Sequence, residues 1–170
     1  MSAARRRTEA LALDVGTTRI KAARLDASGR LVDAISRPTP PLTGDGLVRE
    51  GDPDLLRGAV EAVLAEALGA LPPGERDGLA LALAWQRSSF VLWRRADGRA
   101  VTPLVSWRDR SADPWCRAHA DDEPRARELS GLPLSPHYAG PKLAWRFERD
   151  AALRDAARAG ELCFGTLDTW

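Results

Sequence analysis

The stretch from Ala10 to Leu25 constrains the fold more than any other part of this chain. It runs as a short apolar segment, then Asp14-Val-Gly-Thr-Thr18, then a second segment alternating through Ile20, Ala22 and Arg24. Period-two patterning on both sides of a short polar turn is a hairpin signal. Asp26-Ala-Ser-Gly29 has the composition of a second turn, and Leu31-Val-Asp-Ala-Ile35 resumes the apolar pattern. The spacing therefore predicts a three-stranded antiparallel meander over about residues 10–36.

A loop rich in proline and glycine follows, and Asp52-Pro53 then offers a carboxylate cap ahead of a proline at the first helical position. Leu56, Ala59, Val60, Val63, Leu64, Ala67 and Leu68 fall at steps of three and four, so a helix is predicted at roughly 53–68. The continuous apolar run Leu79–Ala84 reads as a strand buried on both faces in the middle of a sheet. Phe90–Trp93 and Val101–Val105 read as two strands joined by a turn at Asp97-Gly98. Short helices are predicted over 112–120 and 124–129, longer ones over 141–150 and 151–159, a strand at Leu162–Phe164, and the first turn of a helix at Thr166–Trp170.

Composition narrows the function classes. An apolar fraction of 44% over 170 residues is enough for a real core. Twenty-five basic residues against 24 acidic ones leave a net charge of +1, so no global field favours nucleic acid or an anionic membrane. Lys21 and Lys142 are the only lysines, and the arginine excess reads as coding bias. Cys116 and Cys163 lack metal-ligand or disulfide spacing, which suits a reducing cytoplasm. Asp14 interrupts the N-terminal apolar stretch well short of a signal-peptide core, and no run approaches a membrane span.

The Asp14–Thr18 turn carries phosphate-site chemistry: a carboxylate, a glycine that admits close backbone approach, and two hydroxyls beside consecutive amides. Asp14 suits Mg²⁺ held through water, Thr17 and Thr18 suit phosphoryl oxygens, and Lys21 suits charge neutralisation. The plainer reading is a tight hairpin whose polar side chains satisfy turn amides. Gln86, Arg87 and Ser88 follow the most apolar run, at a strand end where polar groups can meet a ligand.

The order of motifs resembles the FGGY carbohydrate kinase family, over nearly everything from Leu11 to Trp170. Leu13–Thr18 resembles its first phosphate motif, Glu50–Pro53 the lead into its first helix, and Ala84–Trp93 the substrate-side Gln-Arg strand of the glycerol kinase branch. Val105–Arg110 is similar to its Trp-x-Asp-x-Arg segment. Gly131–Pro136 with Gly140-Pro-Lys142 is similar to the loop before its Lys-x-x-Trp helix, and Gly165–Trp170 to its Gly-Thr-x-Asp-x-Trp.

The resemblance implies an α/β, actin-like or hexokinase-like (ribonuclease H-like) N-terminal domain, a mixed sheet with flanking helices, C-terminally truncated relative to the family. Residues 1–9 would be a disordered tail and 10–170 the incomplete domain, the ATP-binding C-terminal domain being absent. It implies ATP and Mg²⁺ as cofactors and phosphoryl transfer to a sugar or polyol, with Asp14 positioning Mg²⁺ and phosphate beside Gly16, Thr17, Thr18 and Lys21. Gln86, Arg87, Ser88, Trp107 and His137 would bind substrate, Trp107 as an aromatic wall. In glycerol kinases the residue after the arginine is acidic where Ser88 stands here, and His137 occupies the place of a tyrosine, with Tyr138 one step later. The family's catalytic base would lie downstream of residue 170. The expected partners are a sugar or polyol and a separate C-terminal kinase domain or a second copy, with no nucleic acid and no membrane. The rival readings are a non-catalytic sugar-binding or interaction module derived from such a kinase, and a degraded or split gene product.

Overall fold

The computed structural model describes residues 8–170. In chain order its elements are β1 (Thr8–Val15), β2 (Arg19–Asp26), β3 (Leu31–Pro38), β4 (Glu50–Gly51), α1 (Pro53–Gly69), β5 (Ala80–Trp85), β6 (Phe90–Arg94), β7 (Leu104–Val105), α2 (Asp113–Ala118), α3 (Glu123–Ser130), α4 (Ala139–Arg149), α5 (Ala151–Arg158) and β8 (Leu162–Thr166). Most of the tail expected at residues 1–9 lies outside the described residues, and Thr8 and Glu9 already belong to β1. The chain divides into two compact units. One takes the described residues up to Pro41 together with Asp54–Gln86; the other takes Leu42–Pro53 and Arg87–Trp170.

The first unit is built on the predicted meander, in a sheet of order β3-β2-β1-β5. Leu11, Leu13 and Val15 are buried, and their antiparallel partners Arg24, Ala22 and Ile20 are buried with them. Residues paired across strands share a face, so this alternation fixes the register. Asp14 is consequently exposed, opposite Lys21. The buried Arg24 is neutralised by Asp33, which adopts a positive φ of 50° in β3. Helix α1 starts at Pro53, turns Leu56, Val63 and Ala67 away from solvent, and sends Glu66 to Arg37 of β3 at 2.7 Å.

Strand β5 differs from its expected place. It pairs in parallel with β1, Asp14 lying beside Ala84, but it forms the sheet's edge and all six of its residues are exposed. Leu81, Leu83 and Trp85 are 49%, 48% and 38% exposed. The apolar run identified a strand correctly, but burial depends on what covers it, and residues 8–170 provide no cover.

The second unit holds a sheet of order β4-β7-β6-β8. Phe90, Leu92 and Val105 form its core, packed by Ala139, Leu143 and Phe147 of α4, Leu153 of α5 and Leu162 of β8. The predicted β6–β7 hairpin is looser than its sequence implies. Gly98 turns with φ of 72°, but β7 has only two residues, because Pro103 has no N–H and the Thr102 hydroxyl receives the Leu92 N–H instead. The predicted helices form within a few residues of their expected ends, α5 being capped by Asp150, which accepts from the Leu153 N–H at 2.9 Å. Thr166–Trp170 closes as a hydrogen-bonded turn and not as a regular helix. Among the described residues no helix is long and apolar enough to cross a membrane.

Burial separates the two faces of this reading in a measurable way. Ile20→Ala, at a fully buried position, should lower unfolding free energy by about 2–5 kcal/mol, whereas Leu81→Ala on exposed β5 should cost under about 1 kcal/mol. Urea unfolding of both variants checks the difference.

Candidate active site

The Asp14 turn sits where β1 and β5 end together. Gly16 closes it, donating to the Arg19 carbonyl at 3.1 Å. Its Cα hydrogen faces backbone, since a Cβ there would stand 2.7 Å from that same oxygen. The Gly16 carbonyl accepts from the Thr39 hydroxyl at 2.9 Å and from the Gln86 amide at 3.1 Å, and Thr39 N–H donates to the Thr18 carbonyl at 3.0 Å. These bonds pin the turn from below and leave the side chains of Asp14 and Lys21 exposed, 3.7 Å apart. An exposed pair of that kind contributes little to stability and remains available to a ligand.

The residues expected on the sugar side divide. Gln86 is buried and its amide braces the Asp14–Thr18 turn through the Gly16 carbonyl. Arg87 is exposed, with no hydrogen bond or ion pair from its guanidinium among the described residues. Ser88 bends the chain with a positive φ of 63°, a conformation that is uncommon outside glycine and recurs at functional turns. The next residue, Ser89, is fully buried and accepts from the Trp107 N–H at 2.9 Å.

Trp107 and His137 do meet. Their ring centroids lie 5.6 Å apart at 72°, edge to face, on a cavity of about 500 Å³ that is also lined by Arg108, Arg110, Asp113, Ser135 and Pro136. That volume suits a small polar molecule. Tyr138 stands edge-on to His137 at 5.4 Å. Arg87 and Ser88 are not among the residues that line this cavity.

Beneath the Trp107 wall lies a buried polar cluster. Asp109 is fully buried and accepts from the Arg49 N–H at 2.7 Å, the Ser111 N–H at 3.1 Å and the Ser111 hydroxyl at 2.6 Å. Its sequence neighbour Arg110 turns away to Asp113 at 3.3 Å. Lys142, equally buried, donates to the Ser106 carbonyl at 2.7 Å. Burial pushes its ammonium down to about 8, with Arg146 adding to the effect and Asp109 opposing it. Arg146 in turn is paired with Glu50. The members lie in separate motifs, and their meeting is long-range: Asp109 finds Arg49 sixty residues away.

Fold and turn together define a mixed α/β domain with a Gly-Thr-Thr turn at the end of a parallel strand pair. Residues 10–170 match the FGGY family of carbohydrate kinases, N-terminal domain. A glycerol kinase from Nocardia farcinica is 34% identical over 161 residues, covering 94% of this chain and 32% of that protein. One from Thermus brockianus is 37% identical over 168 residues, covering 94% and 33%. Among solved structures, glycerol kinase from Plasmodium falciparum with ADP superposes at a TM-score of 0.83 with 15% identity, over 94% of this chain and 32% of that one. Xylulose kinase from Rhodospirillum rubrum gives 0.73 with 21% identity, over 84% and 30%. This chain belongs to the FGGY family of carbohydrate kinases and has the actin-like, hexokinase-like fold of its N-terminal domain. It spans about a third of the length of the curated relatives it matches.

Two outcomes follow from the geometry. Gly16→Ala forces a Cβ against the Arg19 carbonyl, so it should destabilise the hairpin by about 1–3 kcal/mol and displace the Gly16–Thr18 amide resonances. Lys142 gives a pH signature. Because its ammonium titrates near 8 when folded and at 10.5 when not, its burial penalty is fully present below 8 and is relieved as pH rises to 10.5. Unfolding free energy of the unaltered chain minus that of Lys142→Met should rise through this window by up to about 3 kcal/mol, measured by urea unfolding at pH 7 and pH 10.5.

Proposed function

We propose that this domain forms the first-domain side of an ATP-dependent carbohydrate or polyol kinase of the cytoplasm, which transfers the γ-phosphoryl group to an acceptor hydroxyl. The observation that carries the reading is the Asp14–Lys21 pair, exposed beside a pinned Gly-Thr-Thr turn. Phosphoryl transfer depends mainly on positioning and on neutralising charge. In this reading Lys21 takes a phosphoryl oxygen, and the turn formed by Gly16, Thr17 and Thr18 brings backbone amides and hydroxyls to the phosphates. Among the described residues no group of three or more His, Cys, Asp and Glu side chains is placed to hold a metal ion. A single exposed carboxylate fits Mg²⁺, which retains most of its waters and takes its remaining ligands from phosphate. Bound there, the ion would screen phosphate charge, while Asp14 orients its waters.

The acceptor is assigned to the cavity of Trp107 and His137, with the indole against its carbon face and His137 offering a nitrogen to a hydroxyl. Arg87 remains a proposed donor to adjacent hydroxyls. The reading assigns no general base and no adenosine contact to residues 8–170, and general-base catalysis contributes typically ~10²–10⁴-fold.

The 170-residue chain alone should therefore show no ATP-dependent phosphorylation of glycerol or D-xylulose above background. Co-expression with the remaining two thirds of a glycerol kinase relative should restore turnover, and Asp14→Asn should then lower it on the order of 10²-fold or more. Turnover by the isolated chain would contradict the reading. Sugar binding that persists while every pairing stays inactive would favour the non-catalytic module.

A further inference from the structure

Trp107 and His137 lie thirty residues apart in sequence, on different elements, yet both line one cavity with their ring centroids 5.6 Å apart. The backbone at Trp107 is held on both sides. Its own N–H donates to the buried Ser89 hydroxyl, the Arg108 N–H donates to the Ser106 hydroxyl at 3.2 Å, and the Asp109 N–H donates to the Ser106 carbonyl at 3.0 Å. That carbonyl has a second donor, the Lys142 ammonium at 2.7 Å. Lys142 is the fourth residue of α4, whose N-terminus continues directly from His137 and Tyr138. One buried bond thus ties the helix that begins two residues after His137 to the turn that carries Trp107.

Burying a lysine completely is costly, and an apolar side chain of similar length could fill the same space at lower cost. Packing alone gives no reason for an ammonium at this position; a directional bond to one carbonyl does. Asp109 supplies the opposite charge from the same turn, and it is itself fixed by Arg49 and Ser111. We propose that Lys142 is a positioning residue for the Trp107–His137 cavity, setting the spacing of its two aromatic walls through the Ser106 carbonyl. The proposal rests on the reading of that cavity as the acceptor site. Removing the bond should let α4 and the Trp107 turn separate, so the acceptor loses the indole face or the imidazole, though neither residue has changed.

The chain has two histidines, which makes the spacing directly readable by NMR. The His137 ring protons feel the ring current of Trp107, while those of His119 feel Trp115, stacked at 4.0 Å. Trp107→Leu, which carries no ring current, defines the part of the His137 shift that belongs to Trp107. In Lys142→Met that part should fall by half or more, with the His119 resonances unmoved, and D-xylulose and glycerol should bind at least tenfold more weakly by calorimetry. Lys142→Met/Asp109→Asn removes both buried charges and should show the same loss if the single variant does not fold. An unchanged His137 shift in a folded variant overturns the proposal, and failure of both variants to fold does so too, by confining Lys142 to core stability. A lost shift with unaltered sugar affinity also overturns its role in substrate positioning, and traces the fault to the acceptor-site reading.

Discussion

The register of β1 is the constraint on which the Asp14–Thr18 turn depends. A strand's side chains alternate strictly, so a slip of one residue would bury Asp14 and expose Leu13 and Val15. Pairing with β2 places Asp14 opposite Lys21, and pairing with β5 places it beside Ala84, at the common end of two parallel strands. Thr39 and Gln86 then converge on one carbonyl, that of Gly16, from segments on opposite sides of the turn in sequence. The turn is thereby fixed by the fold itself, which is the preorganisation that the proposed phosphoryl transfer would require.

The second unit solves a different problem, which is to hold two rings at a fixed distance. Its apolar core of Phe90, Leu92 and Val105 sets the sheet, but the Trp107 turn is fixed by polar groups. Asp109 and Lys142 are both fully buried, and the hydrogen bonds of each reach backbone or short side chains with little freedom. Such clusters are costly when half satisfied and rigid when complete. Arg146 shows the tension, since its guanidinium meets Glu50 while its buried Nε finds no partner.

Local patterning made most of the fold legible. The meander, α1, β6, β8 and the helices from α2 to α5 each follow from a period, a cap or a turn residue read within a window of a few residues. What escaped was set at long range. The Leu79–Ala84 run has the composition of a doubly covered strand, but no local rule says whether the cover is present, and β5 is exposed. Pro103 and Thr102 shortened β7 by redirecting its hydrogen bonds. At the site, the Asp14 turn was legible because all its chemistry is contiguous. Trp107 and His137 were found only by family resemblance, and their meeting is a tertiary fact. Gln86 was read toward the sugar from its place at a strand end and from the resemblance; its amide bond to the Gly16 carbonyl is a tertiary contact that no local pattern shows. Lys142 was legible as part of the Gly140-Pro-Lys142 motif and as one of two lysines among 23 arginines, but its burial and its bond to the Ser106 carbonyl were not.

In the proposed function one domain carries two chemically distinct surfaces, a phosphate turn at Asp14–Thr18 and an acceptor cavity at Trp107 and His137. The most direct measurement is amide and side-chain shift mapping of the isotopically labelled chain, titrated separately with Mg·ADP and with D-xylulose or glycerol. The account predicts that Mg·ADP moves the amides of Gly16, Thr17 and Thr18, while the sugar or polyol moves the Trp107 indole and the His137 ring. Sugar-induced shifts centred on the turn, or a titration with either ligand that leaves both surfaces unmoved, would contradict it.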